Sequence, residues 1–399
     1  RRGGLGGCKG TKRCCCARGE TTSGSIFVWD MPVEDESQGI CDLFYDACTI
    51  HCESTWFYAP EASLVGTLPT EIGACSQLRY LELPDNAISG TIPTEWGSVT
   101  WLETLELSQN RISGTVPENL RELRYLSGMV LNHNPLSGTL ADGIKDLSRV
   151  ERLQLGGTSV SGTVPASWQE LNQLRSLLLF DTLISGTLPI ELGRLPDLIY
   201  LDATNARLQG ALPSQFGNSN LKTLKLGDNQ LSGSLPSELG GDLSYHLMKL
   251  ELGGNQLSGT LPSQLGELFI LQTLHLESNA LSGSLPSSLC ALCALEVLRL
   301  QGNAFGGTLG WLEDSATCAD PTSRCGTATI AQSLATFTAS HNQLEGTLPS
   351  PFPRSLASVA LEENRLSGTL PTAPSGLNTR LLEMVLDGNS VSGTLPAAW

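Results

Sequence analysis

The sequence predicts an α/β solenoid, a chain wound into stacked coils, and three observations predict it. A Gly followed mostly by Thr, then an aliphatic residue and usually Pro, recurs at Gly66, Gly90, Gly114, Gly138, Gly162, Gly186, Gly210, Gly233, Gly259, Gly283, Gly307, Gly346, Gly368 and Gly393. The first six intervals are each 24 residues, and the later ones are 23, 26, 24, 24, 39, 22 and 25. Hydrophobic residues make up 40% of the chain and charged residues 16%, enough apolar material for a continuous core under a surface of Ser, Thr, Asn, Gln and Gly. A length of 399 residues would suggest two or three domains, but a repeat protein grows by adding rungs.

One unit runs from Leu78 to Leu102. Leu78, Leu81 and Leu83 form its strand, and alternation along a strand turns Leu81 and Leu83 inward and Glu82 and Pro84 outward. Asn86 follows, then Ile88, then Ser89-Gly90-Thr91-Ile92-Pro93, then Trp96-Gly97 and a short irregular return. The Asn position recurs as Asn110, Asn134, Asn229, Asn255, Asn279, Asn303, Asn342, Asn364 and Asn389. A buried amide here bonds turn backbone in its own rung and the adjacent one. Thr158, Thr182 and Ala206 replace it in three repeats. Thr keeps part of that capacity, and Asn205 stands beside Ala206 as a compensating amide.

This unit resembles the plant-specific class of leucine-rich repeats, over about residues 64–399. The resemblance implies a right-handed superhelix with a concave parallel β-sheet, a short second sheet at the Gly-x-Ile-Pro segment and an irregular or 3-10 convex side. It also implies an extracellular protein, as in plant receptor ectodomains and secreted algal repeat proteins. Fourteen rungs at ~4.8 Å each give an arc of roughly 65 Å.

Residues 1–63 do not follow the repeat and are expected to form a Cys-rich arm and cap, which a solenoid needs over its first rung. They hold Cys8, Cys14, Cys15, Cys16, Cys41, Cys48 and Cys52, with Trp29, Trp56, Phe57 and Tyr58. The family resemblance implies a Cys-bearing cap, and residues 41–58 look like a divergent one. Cys75, in the first return segment, is placed to bond Cys52 or Cys48. A soft-metal site at Cys8 and the three adjacent cysteines is the alternative, but no His lies near them; no metal or cofactor is expected. The 39-residue interval carries an insertion near residues 312–328 with Cys318 and Cys325, and the preceding return holds Cys290 and Cys293. Cross-links between these two pairs are expected. A redox role for Cys290-Ala-Leu-Cys293 lacks the strand-then-helix setting that supports one.

The twelve cysteines argue for disulfides and a secreted or cell-surface setting. The chain begins at Arg1 and shows no leader, and is read as processed or as a fragment. Its last residues, Thr394 to Trp399, repeat Thr91 to Trp96 and stop in mid-repeat. Either the natural chain continues or another molecule covers the last rung. No run of about 18 apolar residues exists to span a membrane, and no Asn-x-Ser/Thr site occurs.

The net charge is −16. Six basic residues and one acid lie in residues 1–20, leaving 18 basic and 39 acidic side chains in the body. An acidic body repels phosphate backbones, so nucleic acid is not an expected partner. Catalysis needs a converged acid, base or nucleophile. His51, His133, His246, His275 and His341 fall on separate repeats, and no P-loop, Gly-x-Ser-x-Gly elbow or His-Glu-x-x-His is present. No enzyme is expected.

Two surface patterns remain. Outward strand positions are mostly polar, but Val130, Leu178, Phe180 and Tyr200 break that rule and form the candidate partner-binding patch. Thr91, Thr115, Thr139, Thr163 and Thr187 follow the repeat Gly, and Ser commonly precedes it, giving two candidate hydroxyl files. Thr suits short strands, so the files are open to three readings: drift, an ice-binding face, or a packing face for another subunit. The expected function is non-catalytic recognition of a protein or polysaccharide, with an assembly subunit and an ice-binding protein as alternatives.

Overall fold

A computed structural model describes residues 45–46, 49–50, 54–313, 329–350, 353–371 and 380–394. The coil is built from short strands because each repeat offers two or three apolar residues at alternate positions between turn-forming ones. Fourteen parallel strands make one long sheet in which sequence neighbours pair in register, from Trp56–Tyr58 to Glu383–Val385. We number rungs by these strands. Tyr80–Glu82 is rung 2, Thr104–Glu106 rung 3, Gly128–Val130 rung 4, Arg152–Gln154 rung 5, Ser176–Leu178 rung 6, Tyr200–Asp202 rung 7 and Thr223–Lys225 rung 8. Rung 1 draws its strand from residues expected in the cap.

The Gly-Thr segments form the second array. Val65–Thr67, Ala87–Thr91 and Arg111–Ser113 pair as three strands, and eleven more run from Ser137–Thr139 to Ser390–Ser392. A Gly114–Leu136 bridge joins the two groups. The return side is made of short 3-10 turns such as Thr94–Ser98 and Ala166–Glu170, each preceded by a Pro in extended backbone. Among the described residues no α-helix occurs.

Aliphatic side chains from successive rungs stack into one core. Leu83, Leu107 and Leu155 are fully buried, as are Leu81, Leu105 and Leu153. Trp96, Trp168, Phe216, Phe305 and Phe337 fill its widest parts. The Asn file does what its position predicts. Asn110 Nδ2 donates to the carbonyls of Leu107 and Ser108 in its own rung and of Leu83 in the rung before. Its Oδ1 accepts the Ile88 amide of that earlier rung. Asn205 does not compensate for Ala206: its amide donates to Asp181 Oδ1 at 2.6 Å instead.

Cys75 is fully buried at the end of the turn Thr70–Ala74, Cys290 is buried in the turn Ser287–Ala291, and Cys293 is half-buried. Cys41, Cys48, Cys52, Cys318 and Cys325 lie outside the described residues, as do His51, most of the 312–328 insertion and the last five residues.

Candidate functional site

Each strand of the long sheet turns its middle residue into the core and its two flanking residues outward, as in Ser176-Leu177-Leu178. Register therefore sets columns on the outer face. Val130, Gln154, Leu178 and Asp202 share one column, and Gly128, Arg152, Ser176 and Tyr200 share the next.

The structure places three of the four predicted partner residues at this surface and encloses the fourth. Leu178 and Tyr200 are half-buried on adjacent rungs, offset diagonally by two residues. Phe180 is also half-buried and does not stand up from the sheet. A Cβ at Gly156 would collide with its ring, so the absence of a side chain there lets Phe180 lie back across rung 5. Its ring then reaches His133, with centroids 5.6 Å apart. Val130 is only 5% exposed and supports the surface more than it presents one. Next to the ring is a shallow hollow lined by His133, Asn134, Pro135, Gly157, Thr158, Ser159 and Asp181.

Charge flanks this apolar cluster on one side. Asp202 is buried and accepts the Thr204 amide at 3.1 Å. Burial and Asp202 push the Tyr200 hydroxyl above its ordinary pKa, against the pull of Lys225. Lys225 pairs with Glu251 at 3.5 Å. Burial works against its ammonium, and Glu251, Tyr200 and Asp202 more than offset that, so its pKa is raised. Two rungs on, burial lowers the His275 pKa, with Glu277 opposing and Arg299 assisting. The outer face thus carries an apolar cluster beside the buried Asp202 and the Lys225–Glu251 ion pair.

Sequence reading missed an aromatic column at the strand-entry edge. Trp101 and Tyr125 stack with centroids 4.6 Å apart. Arg79 lies over Trp101 at 5.8 Å and Arg149 over Tyr125 at 4.4 Å, a cation–π arrangement. Trp101, Tyr125 and Arg149 are spaced by one 24-residue period, so the repeat itself carried the signal. Separately, Trp56 and Tyr58 are exposed on the outer face at rung 1, with ring centroids 5.2 Å apart, and Trp56 also meets Tyr80 at 6.5 Å.

On the second array, Thr91, Thr115, Thr139, Thr163 and Thr187 are all exposed. Their methyl groups pack on the glycine of the next rung. A Cβ at Gly114, which holds φ +79, would stand 2.8 Å from Thr91 Cγ2. The Ser file is committed internally: Ser113 Oγ donates to the Gly90 carbonyl at 3.1 Å and Ser161 Oγ to that of Gly138 at 3.0 Å. Of the two predicted files, the Thr residues are the exposed ones, while Ser hydroxyls are spent on the preceding rung.

Among the described residues no three His, Cys, Asp or Glu side chains are grouped to hold a metal ion. No helix among them is long and apolar enough to cross a membrane.

The family model described as Leucine Rich Repeat matches residues 101–123, 220–241, 246–268 and 271–292. No curated protein matches the chain. Among solved structures, the ectodomain of the plant membrane receptor kinase GASSHO1/SCHENGEN3 from Arabidopsis thaliana, in complex with CASPARIAN STRIP INTEGRITY FACTOR 2, is 29% identical with a TM-score of 0.71. That match covers 86% of this chain and 42% of the receptor chain, so this chain spans under half of its length. The plant peptide hormone receptor RGFR1, in complex with RGF2, is 26% identical with a TM-score of 0.55, over 86% of this chain and 68% of the other. A leucine-rich-repeat protein of Leptospira interrogans is 27% identical with a TM-score of 0.62, over 82% and 76%.

Proposed function

We propose that this leucine-rich-repeat chain is a non-catalytic recognition module that binds a protein or peptide segment across the outer face of its long sheet, centred on Leu178, Phe180 and Tyr200. The observation that carries the reading is the apolar cluster itself, half-buried at mid-sheet between polar neighbours such as Gln154 and the Lys225–Glu251 ion pair. Aromatic and aliphatic anchors in partly desolvated settings dominate binding energy at protein interfaces. Support also comes from two similar solenoids, the receptor GASSHO1/SCHENGEN3, solved in complex with CASPARIAN STRIP INTEGRITY FACTOR 2, and the peptide hormone receptor RGFR1, solved in complex with RGF2. Selection of peptides from a displayed library tests the reading. Leu178→Asp with Phe180→Asp weakens the selected peptides at least tenfold while circular dichroism stays unchanged. Undiminished binding to the doubly substituted chain overturns it, and parallel selection on neutral polysaccharides separates a glycan target from a peptide.

The setting in this reading is secreted or cell-surface. Twelve cysteines support it, as does the bonded state of the sulfurs of Cys75, Cys290 and Cys293. The pairing that fits is Cys290 and Cys293 with Cys318 and Cys325, and Cys75 with Cys52 or Cys48. Peptide mapping without reduction checks it.

A second reading rests on the Thr file, exposed at every rung from Thr91 to Thr187 with its side chains against the next rung's glycine. Such a file orders water at an ice surface or packs against a neighbouring subunit. Measured thermal hysteresis supports the first use and concentration-dependent self-association supports the second; absence of both removes the reading.

A further inference from the structure

Besides sheet hydrogen bonds, three recurring side-chain devices tie a rung to the one before it: the Asn file, the Ser hydroxyls and the Thr methyls over glycine. The Asn file ties rungs 2, 3 and 4, as at Asn134, whose Nδ2 donates to the Leu107 carbonyl at 2.9 Å. It resumes at rung 8, where Asn229 Nδ2 donates to the Ala203 carbonyl at 2.8 Å. Three consecutive rungs between them lack it. The Thr158 and Thr182 hydroxyls donate at 2.7 Å to Leu155 and Leu179, carbonyls of their own rungs. Ala206 donates nothing from its side chain. The Ser position is lost at the same place, where Gln209 stands before the repeat glycine.

The junction between rungs 6 and 7 therefore lacks both the Asn and the Ser tie. Among the described residues, the side-chain hydrogen bond that crosses it is the Asn205–Asp181 pair, and both residues are exposed. A water-exposed bond contributes less than a buried one, because water competes for its groups. In a stack held by nearest-neighbour interfaces, the weakest interface opens first. Leu178 and Phe180 lie on one side of this junction and Tyr200 on the other.

We propose that the rung 6–rung 7 junction is a hinge built into the solenoid, and that a peptide lying across Leu178 and Tyr200 clamps it shut. The clamp rests on the binding reading above; the hinge does not. Opening separates the two halves of the binding patch, so a ligand that needs both halves binds only the closed stack and shifts the equilibrium toward it.

Hydrogen exchange read by mass spectrometry on the full free chain tests the hinge without any ligand. The Leu179 and Asp181 amides, bonded across the junction to the carbonyls of Asp202 and Thr204, are the reporters. The equivalent Leu276 and Ser278 amides, bonded to Arg299 and Gln301 at a junction tied by Asn303, are the reference. The hinge predicts exchange at least tenfold faster at the reporters. Ala206→Asn restores the missing tie and brings them within about threefold of the reference, whereas Asp181→Ala speeds them further. Equal exchange at the two junctions of the unaltered chain overturns the hinge, and that comparison stands even if Ala206→Asn fails to fold. A selected peptide that requires Leu178 slows Leu179 and Asp181; one that binds there and leaves them unchanged overturns the clamp. Failure to select any peptide removes the clamp together with the function it rests on, while the hinge keeps its own test.

Discussion

Asn110 and Ile88 sit on neighbouring rungs and are joined by a 3.0 Å hydrogen bond from the Ile88 amide to Asn110 Oδ1. The same buried carboxamide donates to Leu83, Leu107 and Ser108 carbonyls. One side chain thus satisfies backbone groups in two rungs that no strand ladder reaches. Each buried polar group left unpaired costs about 1–3 kcal/mol. Asn110→Ala is expected to destabilise by roughly 3 kcal/mol or more by that measure, read as a lower denaturant midpoint. Asn110→Thr is expected to recover part of the loss, because Thr158 keeps the bond to the carbonyl three residues back. A midpoint for Asn110→Ala within error of the unaltered chain contradicts this account.

Gly114 carries the second tie. Its φ of +79 is strained for any L side chain, and an added Cβ would stand 2.8 Å from Thr91 Cγ2. Gly114→Ala meets both costs, each on the order of 1–2 kcal/mol. Thr91→Ser removes the methyl and with it the steric half. The double variant is therefore expected to be more stable than the sum of the single effects, a coupling that a double-mutant cycle measures. Strict additivity would show that the methyl and the glycine do not meet.

The repeat made most of this architecture readable before any coordinates. A period of 24 residues places Asn86, Asn110 and Asn134 in one column, and a column of amides has one geometric use. What failed were inferences from immediate neighbours along the chain. Asn205 adjoins Ala206, but its backbone is left-handed, with φ 51, and its side chain leaves the core for Asp181. Phe180 was legible as an outward aromatic. That it lies flat depended on Gly156, one period earlier, and only stacking brings those two together. Val130 shared the outward phase of its strand and yet is enclosed, because burial on a sheet face is set by neighbours on adjacent rungs. The Trp101–Tyr125 stack follows the same 24-residue period, but both residues precede their strands, where the alternation of inward and outward positions does not reach.

Leu107 is fully buried at the third rung. Truncating a packed leucine costs about 2–5 kcal/mol. In a solenoid that cost is felt by the rungs that touch it and not by the whole stack. Leu107→Ala is expected to raise hydrogen exchange at Leu83 and Leu131, its counterparts on rungs 2 and 4, and to leave Leu276 and Leu300 unchanged. Uniform acceleration across all rungs would mean that the stack unfolds as one cooperative unit.

Glu106 ties stability to pH. It stands on the outer face of the long sheet, and burial raises its pKa, more than the Ser108 hydrogen bonds and Arg152 lower it; Glu82 adds to the rise. The folded carboxyl therefore holds its proton to higher pH than the unfolded one. Over that range the native state binds more protons, so stability falls as pH rises through it. The penalty is complete once the folded group has ionised, and it is absent below the unfolded value. Glu106→Gln keeps an oxygen for the Ser108 amide, which Glu106 Oε1 accepts at 2.9 Å, and abolishes the charge. The variant is expected to raise the denaturant midpoint at pH 7, with the gain shrinking toward zero near pH 4, about the unperturbed value for a glutamate. A gain that is equal at both pH values would assign the effect to packing, and no gain at pH 7 would show that water screens the Glu106 charge in place.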